Sequence, residues 1–256
     1  MASTHKDSSR KRSKMQSDPV WAALSAELAG TALLVLLSCA GAAGGAAAAG
    51  LVVATLIQCF DHISGAHFNP VVTLCAVVRR RVPPTLGAMY VVAQLLGASA
   101  GAAAVCGAPG AGGEVGNCVT RLASDVSTMQ GLLIEGLLGA LLALANCASW
   151  DPRNRRLPDS WPLRMGAIVA GLVTVAGPLT GAGMNPARSF GPALLAHSWG
   201  HHWLYWLGPL GGSLLASLLY TWLWHSPPDP PARGDDPPAP REPCGKEADA
   251  LVDGCA

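Results

Sequence analysis

Three segments from the first half of this chain recur in the same order in the second half. AELAGTALLVLLSC at 26–39 returns as IEGLLGALLALANC at 134–147, HFNPVVTL at 67–74 as GMNPARSF at 183–190, and YVVAQLLG at 90–97 as YWLGPLGG at 205–212. A repeat of this kind restricts the fold to two copies of one unit, and the number of membrane crossings per copy decides how the copies face. Apolar stretches run near 19–40, 43–60, 86–106, 129–150, 163–178 and 203–224. A helix needs about 20 residues to cross a bilayer core, so each half crosses three times. Three is odd, and the second half therefore enters the membrane upside down relative to the first. The break between the first two spans rests on GAAGG at 41–45, because the run from Val20 to Phe60 is too long for one crossing. Ser17, Asp18 and Pro19 form a helix start ahead of the first span.

Composition agrees with a bundle in lipid. Half of the 256 residues are apolar, 13% are charged, and 30 are Gly; small residues let transmembrane helices approach closely. Cys39, Cys59, Cys75, Cys106 and Cys147 fall in apolar runs with no CxxC pair, and read as small hydrophobes rather than disulfide partners or metal ligands. Five basic residues lie in the tail up to Lys14, three are Arg79–Arg81, and Arg153, Arg155, Arg156 and Arg164 flank the fourth loop. All fall on one side, opposite Arg121 and Arg188, which places both termini in the cytoplasm. Residues 1–18 read as a basic cytoplasmic tail without a cleavable signal, in which RKRS at 10–13 helps to set topology. Residues 19–226 form the membrane domain, with repeat 1 about 19–106 and repeat 2 about 129–224. Residues 227–256 are Pro-rich and of mixed charge, a composition that stays disordered, and the RGD at 233–235 falls within them.

Each Asn-Pro pair is followed by an apolar run only two turns long, VVTLCAVV after Pro70 and ARSFGPALL after Pro186. Such runs cannot cross a membrane. Proline at the first helical position loses no hydrogen bond, so each run reads as a half-helix starting at its Asn. Irregular backbone at membrane depth must line a cavity or be buried in protein, so HISGAHF at 62–68 and LTGAGM at 179–184 read as extended strips facing a wet pore.

The two boxes, SGAHFNPV and TGAGMNPARSFGPA, resemble the signature of the aquaporin family, and the resemblance covers the chain from about Trp21 to Trp224. It implies an all-α membrane protein with six transmembrane helices and two re-entrant half-helices in an inverted 3+3 repeat. It also implies a passive channel for water and small neutral solutes that assembles as a homotetramer in contact with lipid, the plasma membrane being the default location. In such a channel Asn69, Pro70 and Val71 would meet Asn185, Pro186 and Ala187 at the pore centre, with the Asn amides donating to the passing solute. Arg188, an ionisable group in a re-entrant segment, would occupy the extracellular constriction. Counting from the boxes without gaps puts the rest of that filter at Ala49, Val173 and Ala182. Their small or aliphatic side chains imply a constriction wider than in strict water channels, open also to ammonia, hydrogen peroxide or urea.

Other residues follow from the same resemblance. Glu27 and Glu135, at equivalent repeat positions, would accept hydrogen bonds from the re-entrant loops, while His67 and Gly183 would line the pore. Ser189, Ala193, Tyr205 and Trp206 fit the water-type rather than the glycerol-type pattern, and the second half resembles the aquaporin-8 branch. The cysteine that makes many members mercury-sensitive falls at Ala182 and is missing. This chain departs from the family at Val71, where Ala is usual, and in a shortened first extracellular loop between Glu27 and Asn69.

Two other functions fit the same sequence. A coupled secondary transporter also uses inverted repeats and broken helices, but Glu27 and Glu135 are its sole candidate midplane carboxylates. A non-conducting junction protein on the same fold is compatible with Val71 and the short loop. No nucleophile and base pair, phosphate loop or metal-ligand spacing points to an enzyme, and neither a cofactor nor nucleic acid is an expected partner.

Overall fold

The computed structural model describes residues 19–41, 44–107, 115–154 and 160–224. The tails read at 1–18 and 227–256, with RKRS and RGD, lie outside these residues, as do Arg155 and Arg156. The elements are α1 Val20–Ala40, α2 Gly45–Ser64, α3 Pro70–Val78, α4 Pro84–Gly107, α5 Thr128–Ser149, α6 Trp161–Thr180, α7 Pro186–Leu195 and α8 Leu204–Leu223, with 3₁₀ turns at Val115–Cys118 and Pro152–Asn154. α1, α2, α4, α5 and α6 are long and apolar enough to cross a membrane. α8 has the same 20-residue length as α2 and α6, about 30 Å at 1.5 Å per residue. Its polar aromatics, Pro209 and glycines dilute its hydropathy, and it is the sixth span.

The helix pairs obey the repeat. α1 packs on α4 as α5 packs on α8, and α2 crosses α6 where the two repeats meet. Glycines set these distances, since in lipid the helices associate through close packing. A Cβ on Gly50 would strike the Gly166 carbonyl, and one on Gly212 would strike the carbonyl of Gly136. On the outside, Leu51, Leu133, Leu163, Val175 and Leu207 are exposed along the spans, as lipid-facing residues are. Trp21 and Trp222 are exposed at one end, and Trp199 and Trp203 at the other, where amphipathic rings sit at a membrane interface.

α3 has 9 residues and α7 has 10, too few to cross. Each follows a helix that ends on a left-handed glycine, Gly65 at φ 84 and Gly181 at φ 77, an αL termination for which glycine has no Cβ penalty. The strips between helix and half-helix are shorter than the sequence reading had them. α2 continues through His62, Ile63 and Ser64, and α6 through Leu179 and Thr180, because Gly65 and Gly181 are the first residues able to turn the chain. Nor are the strips simply extended: Ala66, Phe68, Ala182 and Met184 all take positive φ between 46 and 50. Such conformations cost about 1–3 kcal/mol each and persist where the surroundings over-determine them.

One cysteine reading is corrected. Cys39, taken from its apolar run as a small hydrophobe, is disulfide-bonded to Cys118 with a Cα–Cα distance of 5.3 Å. The partners are 79 residues apart, and their pairing depends on how the 3₁₀ turn docks against the end of α1. Cys59 and Cys106 are free and exposed, while Cys75 and Cys147 are free and buried.

Candidate functional site

The half-helices meet N-terminus to N-terminus because each Asn caps its own helix and reaches into the other repeat. Asn69 Oδ1 accepts from Val71 N at 2.8 Å, and Asn185 Oδ1 accepts from Ala187 N and Arg188 N at 3.0 and 3.1 Å. The amide nitrogens cross over: Asn69 Nδ2 donates to the Met184 carbonyl at 3.0 Å and Asn185 Nδ2 to the Phe68 carbonyl at 2.8 Å. A side-chain amide carries two N–H donors. With one on each Asn held by the opposite strip and the side-chain oxygen spent on the cap, the second N–H is what remains for a passing molecule.

The strips are held by the two buried glutamates in matching ways. Glu27 Oε1 accepts from Ser64 Oγ and His67 N, and its Oε2 from Phe68 N and Gln94 Nε2, at 2.6–2.9 Å. Glu135 accepts from Thr180 Oγ1, Gly183 N and Met184 N at 2.6–2.8 Å. Tyr90 and Tyr205 complete the match, donating to the Ser64 and Thr180 carbonyls at 3.0 and 2.7 Å. These hydrogen bonds satisfy the buried backbone N–H groups of the strips and offset their positive φ. Sequence reasoning found the glutamates but missed Ser64, Thr180, Gln94 and Thr73. Tyr90 and Tyr205 head the third repeated segment, which was the available signal for their shared role.

A cavity of about 510 Å³ runs along the repeat interface, lined by both Asn residues, His67, Gly183 and Arg188 among others. Ala49 from α2, Val173 from α6, Ala182 from the second strip and Arg188 from α7 all face this one cavity. Pro70, Val71, Pro186 and Ala187 do not line it; they are buried behind the Asn pair. Val71 is fully buried, packs in the core with Leu138 and Leu142, and its carbonyl accepts from Ser213 Oγ at 2.9 Å. Its two extra methyls are thus absorbed by packing rather than by the cavity.

His67 Nδ1 lies 3.1 Å from Thr73 Oγ1, which also accepts from Gln94 Nε2 at 2.9 Å. Arg188 stands three residues after Asn185, and the equivalent position after Asn69 is Val72. At this position the cavity wall is therefore charged in one repeat and apolar in the other. The guanidinium is held by Nη1 donating to the Cys118 carbonyl at 2.7 Å, a partner no motif announced.

Away from the cavity, charged groups are tied down. Asp151 accepts from Arg153 Nε at 2.7 Å, Arg153 Nη2 at 2.8 Å and Tyr220 Oη at 2.9 Å. The Arg153 side chain hydrogen-bonded to it holds its carboxyl well below the usual range. His202, with Nε2 accepting from Trp206 Nε1 at 3.1 Å, has its pKa lowered by burial. His201 lies 3.3 Å from Thr128 Oγ1, and His62 and His197 are exposed.

Comparison with known proteins follows the same lines. The pattern of the family described as Major intrinsic protein matches residues 14–220. The chain is 40% identical over 221 residues to the lens fiber major intrinsic protein of Gallus gallus, covering 81% of this chain and 83% of that protein. It is 42% identical over 193 residues to the probable aquaporin TIP4-2 of Oryza sativa subsp. japonica, covering 75% and 73%. It is 40% identical to aquaporin-4 of Mus musculus over 68% of this chain, a match that spans 54% of that protein. In structure it is similar to the aquaglyceroporin from Plasmodium falciparum, with a TM-score of 0.73, 21% identity, and coverage of 80% of this chain and 97% of the other; at that identity the likeness is one of fold.

Proposed function

This chain belongs to the major intrinsic protein family, membrane channels for small neutral solutes rather than enzymes, and from that premise we propose that it passes water while excluding protons and ions. The observation that carries this reading is the Asn69–Asn185 pair, each Asn capping a half-helix at the centre of one continuous cavity. Two helix N-termini bring a positive potential of roughly half a charge each to that point, which opposes cations and hydronium. A central water accepts from both Asn N–H groups. Its own protons then point outward along the pore, and a proton wire cannot run through it in one direction.

The solute range is set, in this reading, by Ala49, Val173, Ala182 and Arg188. Three small or aliphatic walls and one guanidinium leave room and polarity for urea, ammonia and hydrogen peroxide, and the likeness of the second half to the aquaporin-8 branch supports the last two. Ser189, Ala193, Tyr205 and Trp206 favour water over glycerol. The basic residues at one face, Arg79–Arg81, Arg153 and Arg164, support cytoplasmic termini. A homotetramer in the plasma membrane is proposed with them.

The test is stopped-flow light scattering on proteoliposomes carrying the full chain, with sucrose, urea, ammonia and glycerol gradients, beside Arg188→Ala. Fast, gradient-linear water flux with low activation energy and no proton leak is the expected result. Flux equal to empty liposomes would leave a non-conducting scaffold, and saturable, proton-dependent uptake would leave a coupled transporter.

A further inference from the structure

The cavity wall carries Arg188 in the second repeat where the first has Val72, and the Cys39–Cys118 disulfide sits beside that arginine. The bond joins the last turn of α1 to the 3₁₀ turn Val115–Cys118. Cys118 meets the Arg188 guanidinium twice, through its carbonyl to Nη1 at 2.7 Å and its sulfur to Nη2 at 3.7 Å. The turn also packs against α1, α4 and α7. Val115 packs with Val35, Ala98, Ala102 and Ala187, and within the loop the Gly116 carbonyl accepts from Arg121 Nη1 at 2.9 Å. In the first repeat the position equivalent to Arg188 is the apolar Val72. In the second repeat the position equivalent to Cys39 is Cys147, whose sulfur stays unbridged, 3.5 Å from that of Cys75. Among the described residues the covalent tie occurs where there is a charged side chain to hold.

We propose that Cys39 and Cys118 are positioning residues for Arg188, the disulfide fixing the carbonyl against which the guanidinium is set and thereby the width of the passage beside Ala49, Val173 and Ala182. This rests on the reading of Arg188 as a selectivity residue. A long, flexible side chain keeps one geometry only if its acceptor is itself fixed. Reduction by a dithiol breaks the S–S bond, delivers two electrons and two protons to give two thiols, and oxidises the reagent to its own disulfide. The turn is then held by noncovalent contacts alone, Arg188 loses its fixed acceptor, and larger solutes gain relative to water.

The experiment compares the ratio of urea to water permeability in proteoliposomes of the full chain as purified, after dithiothreitol, and as Cys39→Ser, Cys118→Ser and Arg188→Ala. A lower yield of folded channel reduces both fluxes together and leaves the ratio alone, so the ratio separates positioning from general stability. The expected result is a rise of roughly two- to five-fold on reduction and in both Cys variants, in the same direction as Arg188→Ala, with no further effect of dithiothreitol on Cys39→Ser. Should a Cys variant fail to fold, the reduced wild type carries the test by itself. Alkylation of Cys39 and Cys118 in the unreduced folded protein overturns the proposal, since the bond is then absent. So does an unchanged ratio in the reduced and Cys-substituted channels while Arg188→Ala shifts it, and in that case the selectivity role of Arg188 stands. An unchanged ratio in Arg188→Ala removes the selectivity reading itself and this proposal with it.

Discussion

Glu135 accepts from Thr180 Oγ1, Gly183 N and Met184 N in a site with no solvent exposure. Glu135→Ala strands those donors, and each buried unsatisfied group costs about 1–3 kcal/mol. A drop of many degrees in the detergent melting temperature is expected, together with loss of water flux. Glu135→Gln keeps one acceptor oxygen and is expected to fall between the two; a melt of Glu135→Ala equal to wild type would rule out this support. Asp151 gives the pH counterpart. Its folded-state pKa is lowered, so its stabilisation is fully present above the unfolded value of about 3.9 and is lost only as pH falls through the lower folded value. The melting temperature difference between wild type and Asp151→Asn is thus expected to be flat from pH 5 to 8 and to shrink below about pH 4. Both glutamates are visible in the sequence as carboxylates inside apolar runs. The donors they serve are not, because they come from strips some 40 residues further along the chain.

At the level of elements, helix contacts and helix ends decide the geometry. A Cβ at Gly212 would strike the Gly136 carbonyl, so Gly212→Leu is expected to push α8 off α5 and abolish the monodisperse peak in size-exclusion chromatography. α5 begins with a capping box in which Ser127 Oγ accepts from Gln130 N and Gln130 Oε1 accepts from Ser127 N. That box lies at an exposed helix end, so Ser127→Ala is expected to cost only about 1 kcal/mol and to spare flux. The spans and half-helices were legible because apolar run length and the Pro after each Asn are local signals. The ends of α2 and α6 were placed too early, since the choice between helix and strip is made by which residue can first take a left-handed turn. The disulfide was illegible, its partners being joined only by the docking of a loop.

At the scale of the whole molecule, one cavity collects residues from α2, α6, α7 and both strips. Ala182 faces it without a reactive side chain, so wild-type flux is expected to resist mercuric ion at that position, and Ala182→Cys to become sensitive, as read by water permeability before and after the reagent. A resistant Ala182→Cys channel that still conducts would place Ala182 away from the solute path.

The sequence by itself determined the inverted repeat, the apolar spans and the two half-helices that start at Asn-Pro, while the meeting of those half-helices and the support from Glu27 and Glu135 were implied by the family resemblance. The first three depend on composition, run length or a short motif that acts within a few residues. The tertiary structure alone decided that Val71 packs away from the cavity and that Cys118 holds the arginine. Those outcomes depend on which distant segments come within hydrogen-bond or van der Waals reach, and that distance is set by packing between the repeats.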